Sequence, residues 1–260
     1  MSEYISSKNN EKIKIVRKLS DKKYRELYGL FTVEGHKLVG EYIKAVCDPA
    51  MIFVTEAALD KYKALLENVS TELYLVPEEL YLHISEEKAP QGIMAVCPLL
   101  SFENNIKDGC TVILESVRDA GNLGTVIRTA AALGVSNIVL SSDCADIYNR
   151  KALRAAMGAL FYTNIYICDD LVEFVKDAES KGRRVYAAVP DNSACDVRDV
   201  TFGANDCIAV GNEGHGLSKA MIDVCSEHLT IPMVPEAESL NASIAASVLM
   251  WELIRGRKDV

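Results

Sequence analysis

The chain has 260 residues, of which 49% are hydrophobic and 25% are charged, a composition typical of globular proteins. This composition excludes a collagen-like, disordered or small disulfide-stabilised chain, and the length favours one or two domains. No apolar run approaches the roughly 18 residues of a membrane span, and the polar N-terminus lacks the apolar core of a secretory signal. The eight cysteines form no CxxC pair, which indicates reduced core residues and no metal site. We therefore expect a soluble cytoplasmic protein without a metal.

The net charge of −9 argues against nucleic-acid binding by the chain as a whole. The charge is uneven, because residues 1–37 contain nine Lys or Arg against five Asp or Glu. The basic residues that crowd this segment are Lys8, Lys12, Lys14, Arg17, Lys18, Lys22, Lys23 and Arg25. Such a cluster is typical of a phosphate-binding surface, and a solvated helix face is the alternative interpretation.

The first half of the chain mixes predicted helices and strands. Residues 8–27 have helical spacing, with apolar side chains on one side and charges on the other. Short runs rich in β-branched and aromatic residues predict strands, at the start of 31–39 and at 51–55, 72–76 and 93–97. Helices are predicted near 56–68 and 77–84. Residues 98–109 mix Pro, Asn, Asp and Gly without periodicity, which favours a linker.

The second half alternates strands with helices. The predicted strands are 111–117, 137–141, 164–168, 184–189, 207–211 and 229–233. The predicted helices are 124–133, 149–160, 169–181, 217–227 and 241–255. Continuous apolar strands that alternate with helices predict an α/β fold whose parallel sheet is covered by helices on both faces. The last helix is apolar over most of its circumference, so its own sheet or a second subunit must cover more than one side of it. We expect a homodimer through this half of the chain.

Ligands in open α/β sheets bind beyond the carboxyl ends of the strands, and the first unusual loop there is 118–134. Its glycines allow tight turns into a helix N-terminus, and Arg128 lies one turn into that helix. This loop alone resembles the opening of a dinucleotide-binding unit, with Asp143 about 20 residues later. The complete G-x-G-x-x-G is missing, which argues against a nucleotide-dependent oxidoreductase. A strand-to-helix turn with a surface arginine remains the structural alternative.

Two further loops follow predicted strands. Residues 210–218 contain glycines in the order G-x-x-G-x-G, with Glu213 as the loop's acid. That order differs from the dinucleotide fingerprint but suits close backbone approach to a ligand. Residues 231–243 run from a strand into the last helix, where Ser239 or Asn241 could simply be a helix cap.

Together the three loops contain three motifs in order. They are N-L-G-x-x-x-R-x-x-x-A-L-G (122–134), G-N-E-G-x-G-L (211–217) and I-P-M-x-x-x-x-E-S-L-N-A-S-I-A-A (231–246). These motifs resemble those of the SpoU (TrmH) family of the SPOUT superfamily, which comprises RNA 2′-O-ribose methyltransferases. Segments 6–19, 31–39 and 84–96 resemble the L30e-like substrate-binding domain that precedes the catalytic domain in that family.

The resemblance implies an S-adenosylmethionine-dependent methyltransferase that modifies ribose 2′-hydroxyls in RNA. It implies an L30e-like domain at 1–100, a linker at 101–109 and a trefoil-knot domain at 110–260. The family is typically dimeric and needs no metal. The two-domain layout favours ribosomal RNA as the substrate. A tRNA 2′-O-methyltransferase and an inactive RNA-binding ribosome-assembly factor are the alternatives.

The resemblance also implies roles for individual residues. The positions that match cofactor-binding residues are Ala188, Val210, Gly211, Asn212, Ile231, Met233 and Leu240. The positions on the catalytic side are Asn122, Arg128, Glu213, Ser239 and Asn241. Arg128 could accept the hydroxyl proton as a base, or stay cationic, bind a phosphate and stabilise the developing alkoxide. The cationic role is favoured, because a guanidinium normally keeps its charge. The basic segment would then bind RNA.

Overall fold

The computed structural model describes residues 2–46, 48–67, 69–102, 105–191, 193–234, 236–237 and 239–256. The chain divides into two compact units. The first comprises Met1–Ser101 together with Tyr148–Phe161, and the second comprises Phe102–Ile147 together with Tyr162–Val260. A short segment from the second half of the chain thus packs within the first unit.

The first unit contains a five-stranded sheet in the order β1-β4-β3-β5-β2. Its strands are β1 (Ser2–Tyr4), β2 (Leu30–Glu34), β3 (Met51–Val54), β4 (Leu73–Leu75) and β5 (Ile93–Pro98). Its helices are α1 (Glu11–Lys18), α2 (Lys22–Tyr28), α3 (His36–Ala45), α4 (Glu56–Lys61), α5 (Lys63–Leu66), α6 (Glu78–Ile84) and α8 (Arg150–Ala156). Strand β5 is antiparallel to both β2 and β3, whereas β4 is parallel to β1 and β3. Apolar side chains from α1, α6 and the sheet form one core.

The N-terminal segment differs from the single helix predicted at 8–27. It forms two helices, because side chains cap each of them separately. Asn10 accepts a hydrogen bond from the Lys12 amide at the start of α1, and Asp21 accepts one from the Lys23 amide at the start of α2. The chain turns between the two helices, so their charged side chains do not continue along one helix face.

The second unit contains a seven-stranded parallel sheet in the order β10-β12-β9-β11-β6-β7-β8. Its strands are β6 (Thr111–Leu114), β7 (Asn137–Ser141), β8 (Asn164–Cys168), β9 (Val185–Ala188), β10 (Cys195–Asp196), β11 (Cys207–Val210) and β12 (Glu227–Thr230). Its helices are α7 (Ala120–Ala132), α9 (Leu171–Ser180), α10 (Lys219–Val224) and α11 (Ala242–Ile254). A short 3-10 helix lies at Val197–Asp199, and another, Ala159–Tyr162, spans the point where the chain passes from the first unit to the second.

Helices cover both faces of this sheet, as the sequence predicts. Ile113 belongs to a core cluster with side chains of α9 and α10. Its strand neighbours Val112 and Leu114 point to the opposite face and are also fully buried. On that side α11 contacts β11 and packs against α7. Strands β9, β11 and β6 are adjacent, so the loops that follow their carboxyl ends gather at one edge.

The described cysteines are free thiols, and most of them are buried. Cys195 is exposed, and Cys47 lies outside the described residues. Among the residues that the structure describes, no group of three His, Cys, Asp or Glu side chains is arranged to hold a metal ion. None of the helices described here is long and apolar enough to span a membrane.

Candidate active site

A cavity of about 970 Å³ opens in the second unit at the carboxyl ends of β9, β11 and β12. Its volume lies at the upper end of the range typical of small-molecule sites. All seven residues that the family resemblance assigns to the cofactor line it, namely Ala188, Val210, Gly211, Asn212, Ile231, Met233 and Leu240. The cavity therefore brings together positions from three separate loops.

Gly211 sits where the chain folds tightly back on itself. A Cβ atom at this position would overlap the Gly216 carbonyl carbon and the Leu217 amide nitrogen. Asn212 and Gly216 exchange two backbone hydrogen bonds, at 3.0 and 2.9 Å, which close the loop. Only a glycine at position 211 permits this close approach, so the loop exposes backbone along the cavity wall.

Three of the predicted catalytic-side residues meet through hydrogen bonds. Asn122 Nδ2 donates to Glu213 Oε1 at 2.8 Å, and Asn241 Nδ2 donates to Asn122 Oδ1 at 3.2 Å. Asn241 Oδ1 also accepts from the backbone amides of Ser243 and Ile244, so it caps α11 as well. Asn241 thus caps the last helix and also contacts Asn122.

The other two predicted residues are placed differently. Ser239 lines the cavity, as Glu213 does, and Asn241, not Ser239, caps the last helix. Arg128 lies on the exposed face of α7 and is not part of the cavity wall. It makes no hydrogen bond or ion pair with the described residues. Its guanidinium is therefore hydrated and accessible to a large ligand.

The basic segment of the first unit divides into paired and unpaired cations. Ion pairs join Lys8 to Glu79, Lys12 to Glu3, Lys14 to Glu11 and Lys22 to Glu26. Lys18 and Lys23 instead place their Nζ atoms 5.3 and 5.9 Å from the centre of the Tyr24 ring. Arg17 Nη1 lies 3.1 Å from His83 Nε2.

The prediction that Arg25 belongs to the RNA-binding surface is wrong. It is buried, with 5% of its surface exposed, and it donates hydrogen bonds to the carbonyls of Leu19 and Ser20 at 2.7 and 2.8 Å. These carbonyls lie just beyond the end of α1. Arg25 therefore joins the two helices and offers no surface charge to a phosphate.

We expect Arg25→Ala to lower the free energy of unfolding by about 2 kcal/mol, because two carbonyls lose their buried charged donor. Urea denaturation followed by circular dichroism measures this change. Lys23→Ala, on the exposed side of the same helix, is the matched control and should change stability by less than about 0.5 kcal/mol. Equal effects of the two substitutions would contradict the structural role of Arg25.

Comparison with known proteins identifies the family. The sequence profile of the SpoU rRNA Methylase family matches residues 109–251. The chain belongs to the SpoU family. A second profile, the MRM3-like substrate binding domain, matches residues 10–95. The two matches together extend over most of both units.

Relatives resemble this SpoU chain along nearly its whole length. The 23S rRNA (guanosine(2553)-2′-O)-methyltransferase RlmP of Bacillus subtilis is 32% identical over 252 residues, which cover 96% of this chain and 98% of the relative. The AdoMet-bound rRNA methyltransferase of Sinorhizobium meliloti superimposes with a TM-score of 0.86 at 26% identity, covering 98% of each chain. The SpoU methyltransferase AviRb of Streptomyces viridochromogenes, in complex with AdoMet, gives a TM-score of 0.86 at 25% identity, covering 96% of this chain and 99% of that chain.

Several residues that line the cavity were not predicted as site residues from the sequence. Asp191 and His228 line the cavity but lie outside the three motifs. The Ser193 amide and hydroxyl hold the pKa of the Asp191 carboxyl below its usual range. His215, which has no partner evident in the sequence, also lines the wall. The position of Asp191 just after β9, at the carboxyl edge, was the one available signal.

Proposed function

We propose that this chain transfers a methyl group from S-adenosylmethionine to a ribose 2′-hydroxyl of ribosomal RNA. The observation that carries the proposal is the bond between Asn122 and Glu213. Glu213 lines the cavity that holds all the predicted cofactor positions, and it is hydrogen-bonded to the first residue of the catalytic-side set. Membership of the SpoU family supports the same reaction.

The cavity fits S-adenosylmethionine in size and in chemistry. Apolar side chains of Val210, Ile231 and Leu240 provide walls suited to a purine ring. The tight loop at Gly211 presents backbone groups, which suit the polar edge of such a ring. When bound, the cofactor supplies a methyl group activated by a positively charged sulfur.

The residues of the chain must orient the ribose and remove its hydroxyl proton. We propose that Asn122, Glu213 and Asn241 form a fixed platform for the nucleotide, since each is bonded to another of the three. An exposed guanidinium stays charged, so Arg128 would bind the adjacent phosphate and stabilise developing negative charge on the 2′-oxygen. The proton then passes to solvent or to the phosphate.

We propose 23S rRNA as the substrate, because this is the RNA that the RlmP relative is named for. The test is transfer of labelled methyl groups to RNA separated into 23S, 16S and tRNA fractions. Label confined to 23S rRNA supports the proposal. Label in the tRNA fraction would favour a tRNA methyltransferase. Cofactor binding without transfer to free RNA or to ribosomal particles would favour the inactive assembly factor.

The first unit is proposed to bind the RNA through those cations of the basic segment at 8–25 that form no ion pair with the described residues, namely Arg17, Lys18 and Lys23. Replacement of Lys18 and Lys23 by Gln should weaken RNA binding and reduce the slope of log K against log salt by about 1 to 2, because fewer counterions are released. Filter binding at several salt concentrations measures the slope. Lys61→Gln with Lys63→Gln is the matched control in the same unit. An unchanged slope in the Lys18 and Lys23 variant would show that these lysines do not bind RNA and that the segment is a solvated helix surface.

We also propose a homodimer through α11. Ile244, Val248 and Trp251 follow one face of this helix, and each is exposed in the single chain, Trp251 by 53%. Trp251→Glu should convert a dimer to a monomer in light scattering, because the charge would be buried without a partner. Ile167→Glu, which alters an exposed apolar residue on β8, should leave the dimer intact. A monomeric wild-type mass would contradict the dimer.

The remaining proposals concern organisation. We propose a substrate-binding domain at 1–100, a linker at 101–109 and a methyltransferase domain at 110–260, supported by the two profile matches. An L30e-like fold for the first domain and a trefoil knot in the second are proposed by resemblance to the family. A cytoplasmic location follows from the proposed substrate.

A further inference from the structure

The loop between β6 and α7 is fastened to both ends of the cavity loop at 211–218. Glu115 accepts hydrogen bonds from the Ser218 amide at 2.6 Å and from the Ser218 hydroxyl at 2.7 Å. The carbonyl of Ser116 accepts a hydrogen bond from Asn212 Nδ2 at 2.7 Å. Two adjacent residues thus hold the segment that lines the cavity.

Ser116 makes its contact from a strained backbone conformation. Its φ is 55°, in the left-handed region that a residue with a side chain seldom adopts. Such a conformation persists only where its surroundings impose it. The direction of the Ser116 carbonyl depends on this conformation, so the Asn212 contact depends on it too.

Asp143, just beyond β7, is joined to Ser116 both directly and through Ser141. Its Oδ2 accepts a hydrogen bond from Ser116 Oγ at 2.7 Å, and its Oδ1 accepts one from Ser141 Oγ at 2.6 Å. Ser141 Oγ in turn accepts a hydrogen bond from the Ser116 amide at 2.8 Å. The hydroxyl of Ser116 is therefore held by Asp143, and its amide is held by the Ser141 hydroxyl, which is itself bonded to Asp143.

The carboxyl of Asp143 stays ionised while it does so. Hydrogen bonds from Ser116 and Ser141, together with the nearby guanidinium of Arg118, hold its pKa below the usual range for an aspartate. An ionised carboxylate accepts stronger hydrogen bonds than a neutral group of the same shape. An amide at this position would therefore hold Ser116 less firmly.

The Asn212 side chain connects Ser116 to the cavity loop. Its Nδ2 is fixed by Ser116, and its Oδ1 accepts a hydrogen bond from the Gly214 amide at 2.8 Å. Its backbone pairs with Gly216 across the tight loop. A change in the direction of the Ser116 carbonyl would release one of these anchors and let the cavity wall move.

We infer that Asp143 is a positioning residue for the cofactor: it holds Ser116 in the left-handed conformation that directs a carbonyl to Asn212 and so fixes the cavity loop. This inference rests on the proposed function, because it assumes that S-adenosylmethionine binds in this cavity. Asp143 itself does not line the cavity and touches no reacting atom.

Calorimetric titration of the full chain with S-adenosylmethionine tests the inference. Asp143→Ala should raise the Kd about tenfold, the effect of losing a charged hydrogen-bond acceptor. At saturating cofactor the kcat should change by less than about twofold, because the bound loop is correctly placed. Asp143→Asn should show a smaller increase in Kd. Because Asn has the same size as Asp, this variant can still be measured if the alanine variant does not fold. Asp169→Ala, an exposed carboxylate just beyond β8, is the matched control and should bind as the wild type does.

A second substitution separates positioning from a general loss of stability. Glycine adopts a positive φ without steric cost, so Ser116→Gly added to Asp143→Ala should restore at least about threefold of the lost affinity. A merely structural role predicts that the extra glycine weakens binding further. Wild-type affinity in Asp143→Ala, or no recovery in the double variant, would overturn this inference alone. Failure of the wild-type chain to bind S-adenosylmethionine would overturn the proposed function and this inference with it.

Discussion

Replacement of Arg128 by Ala should lower the kcat for methyl transfer by about 10²–10³-fold, the range seen when one stabilising donor of a transition state is removed. The Kd for S-adenosylmethionine should stay unchanged, because Arg128 does not line the cavity. Its exposed guanidinium on α7 is free to contact a phosphate of the RNA. Single-turnover methyl transfer at saturating RNA, together with calorimetry, separates the two quantities.

Arg128→Lys distinguishes what the guanidinium contributes. A lysine keeps the charge but loses the planar pair of donors that matches a phosphate. We expect an activity between those of the wild type and of Arg128→Ala if charge stabilisation dominates. Activity as low as that of Arg128→Ala would indicate that the planar geometry is essential. Wild-type activity in Arg128→Ala would remove this residue from the mechanism altogether.

Gly211→Ala should abolish detectable cofactor binding, an increase in Kd of more than about 100-fold. The added Cβ would overlap backbone atoms of Gly216 and Leu217, and backbone cannot move aside as a flexible side chain can. The paired hydrogen bonds between Asn212 and Gly216 would then break, and the cavity wall would open. Calorimetry with S-adenosylmethionine measures the loss.

Gly214 provides a control within the same loop. A Cβ there would lie 3.4 Å from Asn212 Oδ1, an ordinary van der Waals contact, so Gly214→Ala should weaken binding far less than Gly211→Ala. Thermal unfolding of both variants shows whether the second unit remains folded. Equal losses for the two substitutions would mean that the loop needs glycine for flexibility in general, and not for the close approach at position 211.

The edge of the sheet at which the cavity lies could be predicted, because the sequence marks strand ends clearly. Buried parallel strands are continuous apolar runs, and their carboxyl ends share one edge. The glycine-rich loop at 211–217 was therefore expected at the same edge as the loop that follows β6. Resemblance to the SpoU family supplied all the individual cofactor positions, including Ile231 and Leu240, whose places along the cavity no local pattern indicates.

The contacts between the loops could not be predicted in the same way. Asn122 and Glu213 are 91 positions apart, and Asn122 and Asn241 are 119 positions apart. Hydrophobic periodicity predicts local secondary structure, but it does not predict contacts between residues so far apart in the sequence. Asp143 was noticed only for its spacing from a glycine loop, and its bond to Ser116 requires a left-handed backbone that sequence does not reveal.

The charge pattern of the N-terminal segment gave one wrong prediction, the exposure of Arg25. A run of basic residues predicts an exposed surface, but Arg25 faces inward, where the carbonyls beyond α1 need a donor. The break between α1 and α2 did have a local signal. Asp21 is a good helix cap, and its position ahead of Lys22 marks a new helix start that the longer helical spacing concealed.

The chemistry of the product shows directly whether this chain methylates the ribose 2′-hydroxyl. RNA methylated by this chain with labelled S-adenosylmethionine is hydrolysed completely with alkali, which needs a free 2′-hydroxyl to cleave each bond. We expect the label in alkali-resistant dinucleotides, because the methyl group is on the ribose 2′-oxygen. Label recovered in mononucleotides would place the methyl group on a base and contradict 2′-O-methylation by this chain.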